Sequence, residues 1–358
     1  MTSSRLRCGC SMAVSLGLAG AVLGQPSTGI QPDQIGPSTT PQASKDDKLG
    51  AVMDLDMYAP KTAARELCGG FKFTEGPVWV PASEGHPRGY LLFSDIPADT
   101  IQKWTPAEGE SPAVGTVEVF RNPSRFANGL VFDKEGRLVV CEHDRRLSRT
   151  EKDGTITSLA EKHNGLRLNS PNDVCIKSDG AIYFTDPPYG MRPPLGPRME
   201  KRELSFSGVF RVNNDGTLDL LVSDMPSPNG IAFSPDEKLL YVSDTGVGHI
   251  KVFEIDEKGL VKPGSGKVFA EVKNPSMQPD QPPSTAGPDG LKVDVNGNVY
   301  CAAAGGVWVF APSGEQLGTL STPRGAANLC FGDADHKALY VTCRSSVYRI
   351  PLKVAGCP

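Results

Sequence analysis

The sequence lacks any long stretch in which apolar residues recur at helical spacing, and it contains 39 glycines and 31 prolines among 358 residues. Glycine and proline interrupt helices, so this density leaves no room for a helical core. Helical folds are therefore excluded, and we predict an all-β fold. Length does not decide the number of domains, since single β-rich domains can exceed about 250 residues.

The chain also lacks an excess of positive charge, because its 37 Lys and Arg residues are outnumbered by 41 Asp and Glu residues. A net charge of −4 gives no basic patch for nucleic acid and no polybasic segment for an anionic membrane. No Gly-x-Ser-x-Gly sequence occurs, which argues against a serine nucleophile on a strained turn. We expect a small-molecule partner, and the oligomeric state is left open.

Closely spaced Cys or His pairs of the kind that bind zinc are absent. Nine cysteines occur, and most lie inside apolar runs such as 138–141, where a small buried side chain is the ordinary interpretation. Cys68 and Cys357, at the two ends of the expected folded region, are the only pair for which we consider a disulfide. The sequence does not decide whether they pair.

The N-terminus has the three-part pattern of an export signal. Arg5 and Arg7 precede a short apolar run over 12–23, and small residues stand before Gln25. The run is too short for a stable membrane span. We predict a signal peptide over 1–24, a disordered Pro/Ser-rich linker over 25–57, and a catalytic domain over 58–358 in an exported, periplasmic or secreted protein.

One sequence unit recurs six times along the chain. Each copy has a turn, such as 133–136, followed by an apolar run that reads as a second strand. These second strands are predicted at 90–95, 138–142, 181–186, 239–244, 298–302 and 338–343, and third strands at 99–104, 145–150, 208–212, 249–254, 306–310 and 346–350. The repetition indicates one architectural unit used six times.

A polar residue in a Gly- or Pro-bearing turn precedes each second strand. These residues are Glu75, Asn128, Asn172, Asn229, Asp289 and Asn328. From Asn128 onward, each lies nine or ten residues before its second strand. We therefore expect the six side chains to occupy equivalent positions in the repeat.

Six units of four strands predict a six-bladed β-propeller. The last unit lacks a fourth strand and 64–73 forms an extra strand before the first unit, so we predict that the N-terminal strand closes the last blade. The six polar residues would then converge at one mouth of the central channel. Two carboxylates and four amides are hard oxygen ligands that suit Ca²⁺, with Mg²⁺, Mn²⁺ or Zn²⁺ as alternatives.

Several motifs occur in combination: TEGPVW at 74–79, RLNSPNDV at 167–174, YFTDPPYG at 183–190, PNGIAFS at 228–234 and GPDG at 287–290. Together they resemble the gluconolactonase, regucalcin-like (senescence marker protein) lactonase family. The resemblance covers about residue 58 to the C-terminus. It implies a six-bladed propeller, one divalent metal at the channel mouth, and hydrolysis of a sugar lactone.

The resemblance also implies roles for particular residues. Glu75, Asn229 and Asp289 match side-chain metal ligands, and Asn172 matches an amide that contacts either the metal or the substrate. The candidate substrate contacts are Arg167, Asn172, Asn128, Tyr189, Glu142 and His143.

Lactone opening needs an activated water and stabilisation of the oxyanion, and a bound cation can polarise the carbonyl. Asp289 is the predicted general base, with Glu142 or His143 as the alternative. The Pro-rich segments 187–206 and 274–287 are expected to form a lid over the mouth, unless they are ordinary solvent loops. Two other functions remain open: a non-catalytic binding propeller with a structural ion, and a metal-dependent phosphotriesterase-type hydrolase.

Overall fold

The computed structural model describes residues 64–109, 113–272 and 287–357. The predicted signal peptide, the predicted linker and residues 274–286 of the second Pro-rich segment lie outside these ranges. The described chain is an all-β propeller of antiparallel strands, with single-turn 3-10 helices at Ile96–Ala98 and Tyr189–Met191. A helix with the length and hydropathy needed to cross a membrane is not found in these ranges.

The strands follow one another as β-meanders. The first are β1 (Arg65–Val80), β2 (Tyr90–Asp95), β3 (Thr100–Pro106) and β4 (Gly115–Arg121). Next come β5 (Ala127–Phe132), β6 (Leu138–Glu142), β7 (Arg146–Thr150), β8 (Ile156–Ala160), and the two-stranded ladder of β9 (Lys162–His163) and β10 (Leu166–Arg167). The third and fourth groups are β11 (Val174–Ile176), β12 (Ile182–Asp186), β13 (Gly208–Val212), β14 (Leu218–Val222), and β15 (Pro228–Phe233), β16 (Leu239–Asp244), β17 (His249–Glu254), β18 (Lys267–Glu271). The last are β19 (Leu291–Val293), β20 (Val299–Ala303), β21 (Gly306–Phe310), β22 (Gln316–Ser321), β23 (Asn328–Gly332) and β24 (Ala338–Pro351).

Within the described residues these strands form five large sheets, not the six separate blades that we predicted. Four sheets have four consecutive strands each, and the fifth has six strands in the order β23-β24-β1-β2-β3-β4. The merger arises because β1 and β24 both continue through a bend. β1 pairs with β24 as far as Thr74, with a register shift between Gly69 and Thr74, and pairs with β2 from Thr74 onward, while β24 passes through Arg344 at φ 55°. The predicted blade count is therefore not confirmed.

Apolar side chains fill the space between neighbouring sheets. For example, Phe184 and Phe210 pack against Val139 of the preceding sheet, and burial of such large side chains contributes about 1.5–3 kcal/mol each. A comparable cluster lies inside the six-stranded sheet, where Trp79 of β1 stacks on Tyr340 of β24 with ring centroids 4.8 Å apart. The two halves of that sheet thus face each other across their own core.

The first strands of the repeats surround one axis. Contacts between them run in the cyclic order β1, β5, β11, β15, β19, β23 and back to β1. The second strands next to them are almost entirely buried, and the predicted bounds 90–95, 138–142 and 239–244 are those observed. Because the first strands all begin at the same end of this axis, the polar residues near their starts lie close together.

The seven described cysteines all have free thiols, so the disulfide considered for Cys68 and Cys357 is not formed in this structure. Cys68 lies in β1, and Cys357 Sγ donates to the backbone carbonyl of Asp294 over 3.3 Å. Burial raises the pKa of the Cys330 thiol to about 12, so it stays protonated and packs as a small apolar side chain.

Candidate functional site

A cavity of about 250 Å³ opens where the first strands begin. It has several times the roughly 30 Å³ that one water occupies in the liquid, so it can hold a small molecule. The lining includes seven of the predicted site residues: Glu75, Asn128, His143, Asn172, Tyr189, Asn229 and Asp289. Phe73, Ile96, Arg192, Leu195, Ser227, Thr245 and Gly246 complete it.

Glu75, Asn128 and Asn229 do not lie in turns, contrary to the expectation from sequence. Each lies inside a first strand, at an irregularity in register typical of a β-bulge. A bulge bends the strand and redirects a side chain. The Glu-Gly and Asn-Gly pairs therefore mark the points where the first strands turn a polar side chain into the cavity.

The glycine after each of these residues permits a close approach between neighbouring strands. A Cβ atom on Gly230 would lie 2.4 Å from the Asp289 carbonyl oxygen, which belongs to the next repeat. At Gly76 a Cβ atom would lie 1.9 Å from the Asn128 carbonyl oxygen, and its φ is 48°. Only glycine fits, because these contacts are to backbone atoms that have little freedom to move.

Hydroxyl groups on the second strands fix the same carbonyls from the neighbouring repeat. Ser94 Oγ donates to Asn128 O over 2.7 Å, Thr185 Oγ1 to Asn229 O over 2.7 Å, and Ser243 Oγ to Asp289 O over 2.6 Å. Sequence reasoning missed these residues. The repeated Ser-Asp or Thr-Asp pair at the ends of three second strands was the available signal.

Glu75 and Asp289 are buried carboxyl groups with few compensating partners. Burial raises the pKa of Glu75 to about 7, although the Gly76 N–H donates to Oε2 over 3.0 Å. Burial, together with the charge of Glu75, raises the pKa of Asp289 well above its ordinary value. Asp289 Oδ1 is buried without a hydrogen-bond partner among the described residues. Gathering both carboxylates therefore costs free energy unless a cation is present.

The donor set fits a hard cation. The carboxylates of Glu75 and Asp289 line the cavity with the amides of Asn172 and Asn229, and oxygen donors of this kind suit calcium. A divalent charge would favour the ionised form of both carboxyl groups, which burial disfavours. In the described part of the chain, no group of three or more His, Cys, Asp or Glu side chains is arranged to hold a metal, so the amides would have to contribute. Zinc, which prefers His and Cys, fits this set less well.

His143 is fully engaged by its neighbours. Its Nδ1 lies 2.8 Å from the Leu195 carbonyl oxygen and its Nε2 lies 3.0 Å from Asn128 Nδ2. Burial lowers the pKa of His143 to about 4, so the ring is neutral at ordinary pH. Because both ring nitrogens already have partners, the geometry does not favour His143 as the alternative general base.

Glu142 precedes His143 but does not line the cavity. Its carboxylate accepts from Arg146 Nε over 2.6 Å and from Ser148 Oγ over 2.6 Å, and Arg125 Nε lies 3.3 Å away. Side chains alternate between the two faces of a strand, so the residue next to a cavity-facing histidine faces the sheet interior. The structure thus does not bring Glu142 to the substrate position that we expected for it.

Arg167 is also absent from the lining. It lies in the short ladder of β9 and β10, and its Nη1 is 3.4 Å from Glu200 Oε2. Glu200 also accepts from Arg145, whose Nη2 is 3.3 Å from Glu203 Oε1. These ion pairs fasten the first Pro-rich segment, 187–206, to the neighbouring repeat, and this is the position that the structure gives to Arg167.

The segment 187–206 borders the cavity with Tyr189, Arg192 and Leu195. The Tyr189 hydroxyl is buried without a hydrogen-bond partner among the described residues. Burial raises the pKa of Tyr189 to about 12, so its hydroxyl is protonated and can donate. The segment therefore contributes both a wall and a polar group to the cavity.

Two further polar residues lie close to the ring without lining the cavity. Asn328 packs against Gly290, and its Oδ1 accepts from Leu329 N over 2.8 Å. Asp173, which sequence reasoning did not single out, is buried with Oδ2 3.7 Å from Lys292 Nζ. Its negative charge contributes to the raised pKa values of both Glu75 and Asp289.

Comparison with known proteins agrees with this geometry. The family described as SMP-30/Gluconolactonase/LRE-like region matches residues 73–345, a range that includes the whole cavity lining. The chain belongs to this family. The predicted resemblance is thereby confirmed, and curated gluconolactonase and lactonase relatives support a lactone hydrolase.

Individual relatives give the same assignment. A gluconolactonase of Zymomonas mobilis is 34% identical over 329 residues, which cover 86% of this chain and 85% of the relative. The structure of a gluconolactonase from Xanthomonas campestris is 34% identical, covers 83% of this chain and 92% of its own, and has a TM-score of 0.70. The structure of regucalcin from Agrobacterium tumefaciens, a calcium-binding protein, matches 82% of this chain and 95% of its own chain with a TM-score of 0.63. At 20% identity this similarity bears on the fold alone.

Proposed function

We propose that this protein hydrolyses the internal ester of a sugar lactone, with glucono-1,5-lactone as the first substrate to test. The observation that supports it most is the pair of buried carboxyl groups, Glu75 and Asp289, gathered with amides in a cavity of small-molecule size. The 34% identity to a gluconolactonase over most of both chains supports the same activity.

Glu75, Asn172, Asn229 and Asp289 would hold one divalent ion, with Ca²⁺ as the best match and Mg²⁺ or Mn²⁺ as substitutes. When bound, the ion would act as a Lewis acid on the lactone carbonyl. The Asn229 side chain already donates from Nδ2 to Thr245 Oγ1 over 3.0 Å, which leaves its carbonyl oxygen for the cavity. Asn172 is fixed through its backbone N–H, which donates to Thr185 O over 2.8 Å.

Asp289 would act as the general base. Its carboxylate takes a proton from the attacking water while the water oxygen bonds to the carbonyl carbon of the lactone. The Tyr189 hydroxyl, which is protonated at neutral pH, would donate to the oxyanion that develops. When the ring C–O bond breaks, the proton returns from Asp289 to the departing alkoxide, and the product is the open hydroxy acid.

Two structural expectations accompany this function. We propose that the six-stranded sheet represents two blades, β1-β2-β3-β4 and β23-β24 closed by the start of β1, in a six-bladed ring. The core around Trp79 and Tyr340 and the cyclic contacts of the first strands support this count. We also propose export of the protein, on the strength of the signal-like pattern over 1–24.

The test is release of acid from glucono-1,5-lactone above its spontaneous rate, with and without chelator. Asp289→Asn should lower kcat by about 10²–10⁴-fold, because the amide has no basic oxygen for the proton. Asp294→Asn is the control, since Asp294 is also a buried carboxylate in the same repeat but lies outside the cavity lining. An unchanged rate in Asp289→Asn, or lactone cleavage indifferent to chelator, would contradict the mechanism.

The same assay separates the other functions. A binding propeller would retain its ion and turn over no lactone. A phosphotriesterase-type hydrolase would release acid faster from an organophosphate ester than from the lactone, again with loss of activity in Asp289→Asn.

A further inference from the structure

We propose that His143 is a positioning residue that holds the Asn128 side chain with Oδ1 as a free hydrogen-bond acceptor at the cavity wall. We propose further that the Leu195 carbonyl of segment 187–206 sets this orientation. Asn128 Oδ1 would accept a hydrogen bond from a hydroxyl group of the substrate, and to that extent the inference rests on the proposed lactone hydrolysis.

The orientation follows from a chain of hydrogen bonds that begins at a backbone group. The Leu195 carbonyl can only accept, so the nitrogen 2.8 Å from it, His143 Nδ1, must carry the hydrogen. In a neutral ring the other nitrogen, Nε2, is then an acceptor. The Asn128 atom 3.0 Å from Nε2 must therefore be the donor Nδ2. The amide has one orientation left.

That orientation leaves Asn128 Oδ1 without a partner. Asn128 is 2% exposed, and Oδ1 is buried with no hydrogen-bond donor among the described residues. A buried amide oxygen without a hydrogen-bond partner destabilises the fold, and few such atoms persist in folded proteins without a reason. Asn128 lines the cavity, so a donor in the cavity can satisfy this oxygen.

Segment 187–206 holds the imidazole at a second point. A Cβ atom on Gly190 would lie 2.3 Å from His143 Cβ, so the backbone of the segment packs directly against the Cβ atom that carries the imidazole ring. Gly190 is anchored in turn by its N–H, which donates to Ser170 Oγ over 2.9 Å. The position of this segment is thus transmitted through His143 to the cavity wall.

The expected consequence is selectivity for a hydroxyl group. A site that is built to hydrogen-bond a hydroxyl discriminates strongly against an analogue that lacks it, because the site's own polar atom is left unpaired. An amide turned the other way would offer Nδ2, and its partner preference would change from donor to acceptor. His143 would therefore affect which lactones are opened, while the chemical step belongs to other residues.

The test compares His143→Leu with His143→Gln. Glutamine can donate to Leu195 and accept from Asn128 as the neutral imidazole does, whereas leucine can do neither. We expect His143→Leu to lower kcat/KM for the hydroxylated lactone by about 10- to 100-fold, with a smaller effect on a deoxygenated lactone, and His143→Gln to recover most of the loss. Equal losses in both variants, or equal losses on both lactones, would overturn the proposal.

A double-variant cycle checks that His143 acts through Asn128. Asn128→Leu alone should cost about as much as His143→Leu, and the combined variant should cost no more than either. Fully additive losses would overturn the proposal. The melting temperature of each variant is measured as well. It distinguishes a variant that has lost its fold from one that has lost only the orientation of Asn128.

A measurement independent of activity completes the test. In protein labelled with ¹⁵N at histidine, at neutral pH, the two ring nitrogens of His143 should report the Nδ1–H tautomer, with His143→Gln identifying the signal. An Nε2–H tautomer or an imidazolium would overturn the assignment. If the wild-type protein opens no lactone, the proposed function fails, while the tautomer still decides whether His143 orients Asn128.

Discussion

Glu75 and Glu142 are two buried glutamates with opposite surroundings. Glu142 is 1% exposed and is held by Arg146, Ser148 and Arg125. Glu75 is 4% exposed, accepts hydrogen bonds from the Gly76 N–H at 3.0 Å and from the Asn328 side chain, and still has its pKa raised to about 7 by burial. Arginines pair with the first carboxylate, whereas hydrogen bonds alone leave the pKa of the second raised, so a cation in the cavity would favour its ionised form.

The difference separates a structural role from a functional one. A buried ion pair with its hydrogen bonds complete keeps its charge inside the fold, and removing one partner leaves the other uncompensated. A buried carboxyl group without such a partner lowers the stability of the fold, and such groups are typical of binding and catalytic sites. The same amino acid thus stabilises one region and, in the absence of a ligand, destabilises the other.

The largest effect on stability is expected for Glu142→Gln. The amide leaves the Arg146 guanidinium, whose side chain is 14% exposed, without its anion, and breaking a buried pair costs about 3–5 kcal/mol. Urea denaturation measures the loss. Glu135→Gln is the matched control, because Glu135 pairs with Arg137 at 3.1 Å on the surface, where solvent screens the two charges and the pair contributes little to stability. Similar losses in both variants would remove the distinction between the two regions.

Glu75→Gln should have the opposite sign in the presence of chelator. Between pH 4.5 and about 7 the unfolded Glu75 is ionised and the folded one is protonated, so wild-type stability falls as the pH rises through this window. The pKa shift from 4.5 to about 7 lowers the free energy of unfolding of the wild type by roughly 3 kcal/mol above pH 7. The glutamine variant lacks this titration and should be the more stable protein at pH 8.

The measurement is denaturant unfolding of both proteins at pH 5 and pH 8, with chelator and then with Ca²⁺. The advantage of Glu75→Gln should grow from pH 5 to pH 8 in chelator. Added Ca²⁺ should reverse it, since an ion that binds only the folded wild type stabilises that form. A variant that is less stable than wild type at pH 8 in chelator would contradict the account of the cavity.

The fold was predictable where burial is strong. All six second strands were located from their apolar runs, and three of them were predicted at their observed bounds, 90–95, 138–142 and 239–244. The merged sheet was not predicted, because the chain bends at Gly69–Thr74 and at Arg344 without leaving the extended pairing. A pattern of apolar residues locates strands, whereas the continuity of a strand through a bend depends on tertiary pairing.

The candidate site was predictable in part for a similar reason. The regular spacing of the polar residues predicted that they converge, and five of them line one cavity: Glu75, Asn128, Asn172, Asn229 and Asp289. Sequence could not separate Glu142 from Glu75, since the arginines that satisfy Glu142 become its neighbours only in the folded sheet. Nor could it find the Leu195 carbonyl, because a backbone acceptor has no signature in the residue type.

The smallest of these effects concerns the glycines that let the first strands approach. Gly230→Ala places a Cβ atom 2.4 Å from Asp289 O, and overpacking of this kind costs about 1–3 kcal/mol. The strain would also displace Asp289, so kcat for the lactone should fall together with stability. Gly85→Ala is the control, because nothing lies within 4 Å of its Cβ position, and a glycine replaced without strain adds about 0.4–1 kcal/mol. If Gly230→Ala were as harmless as Gly85→Ala, the close backbone contact would not be what holds the polar residues at the cavity, and the position of Asp289 would need another cause.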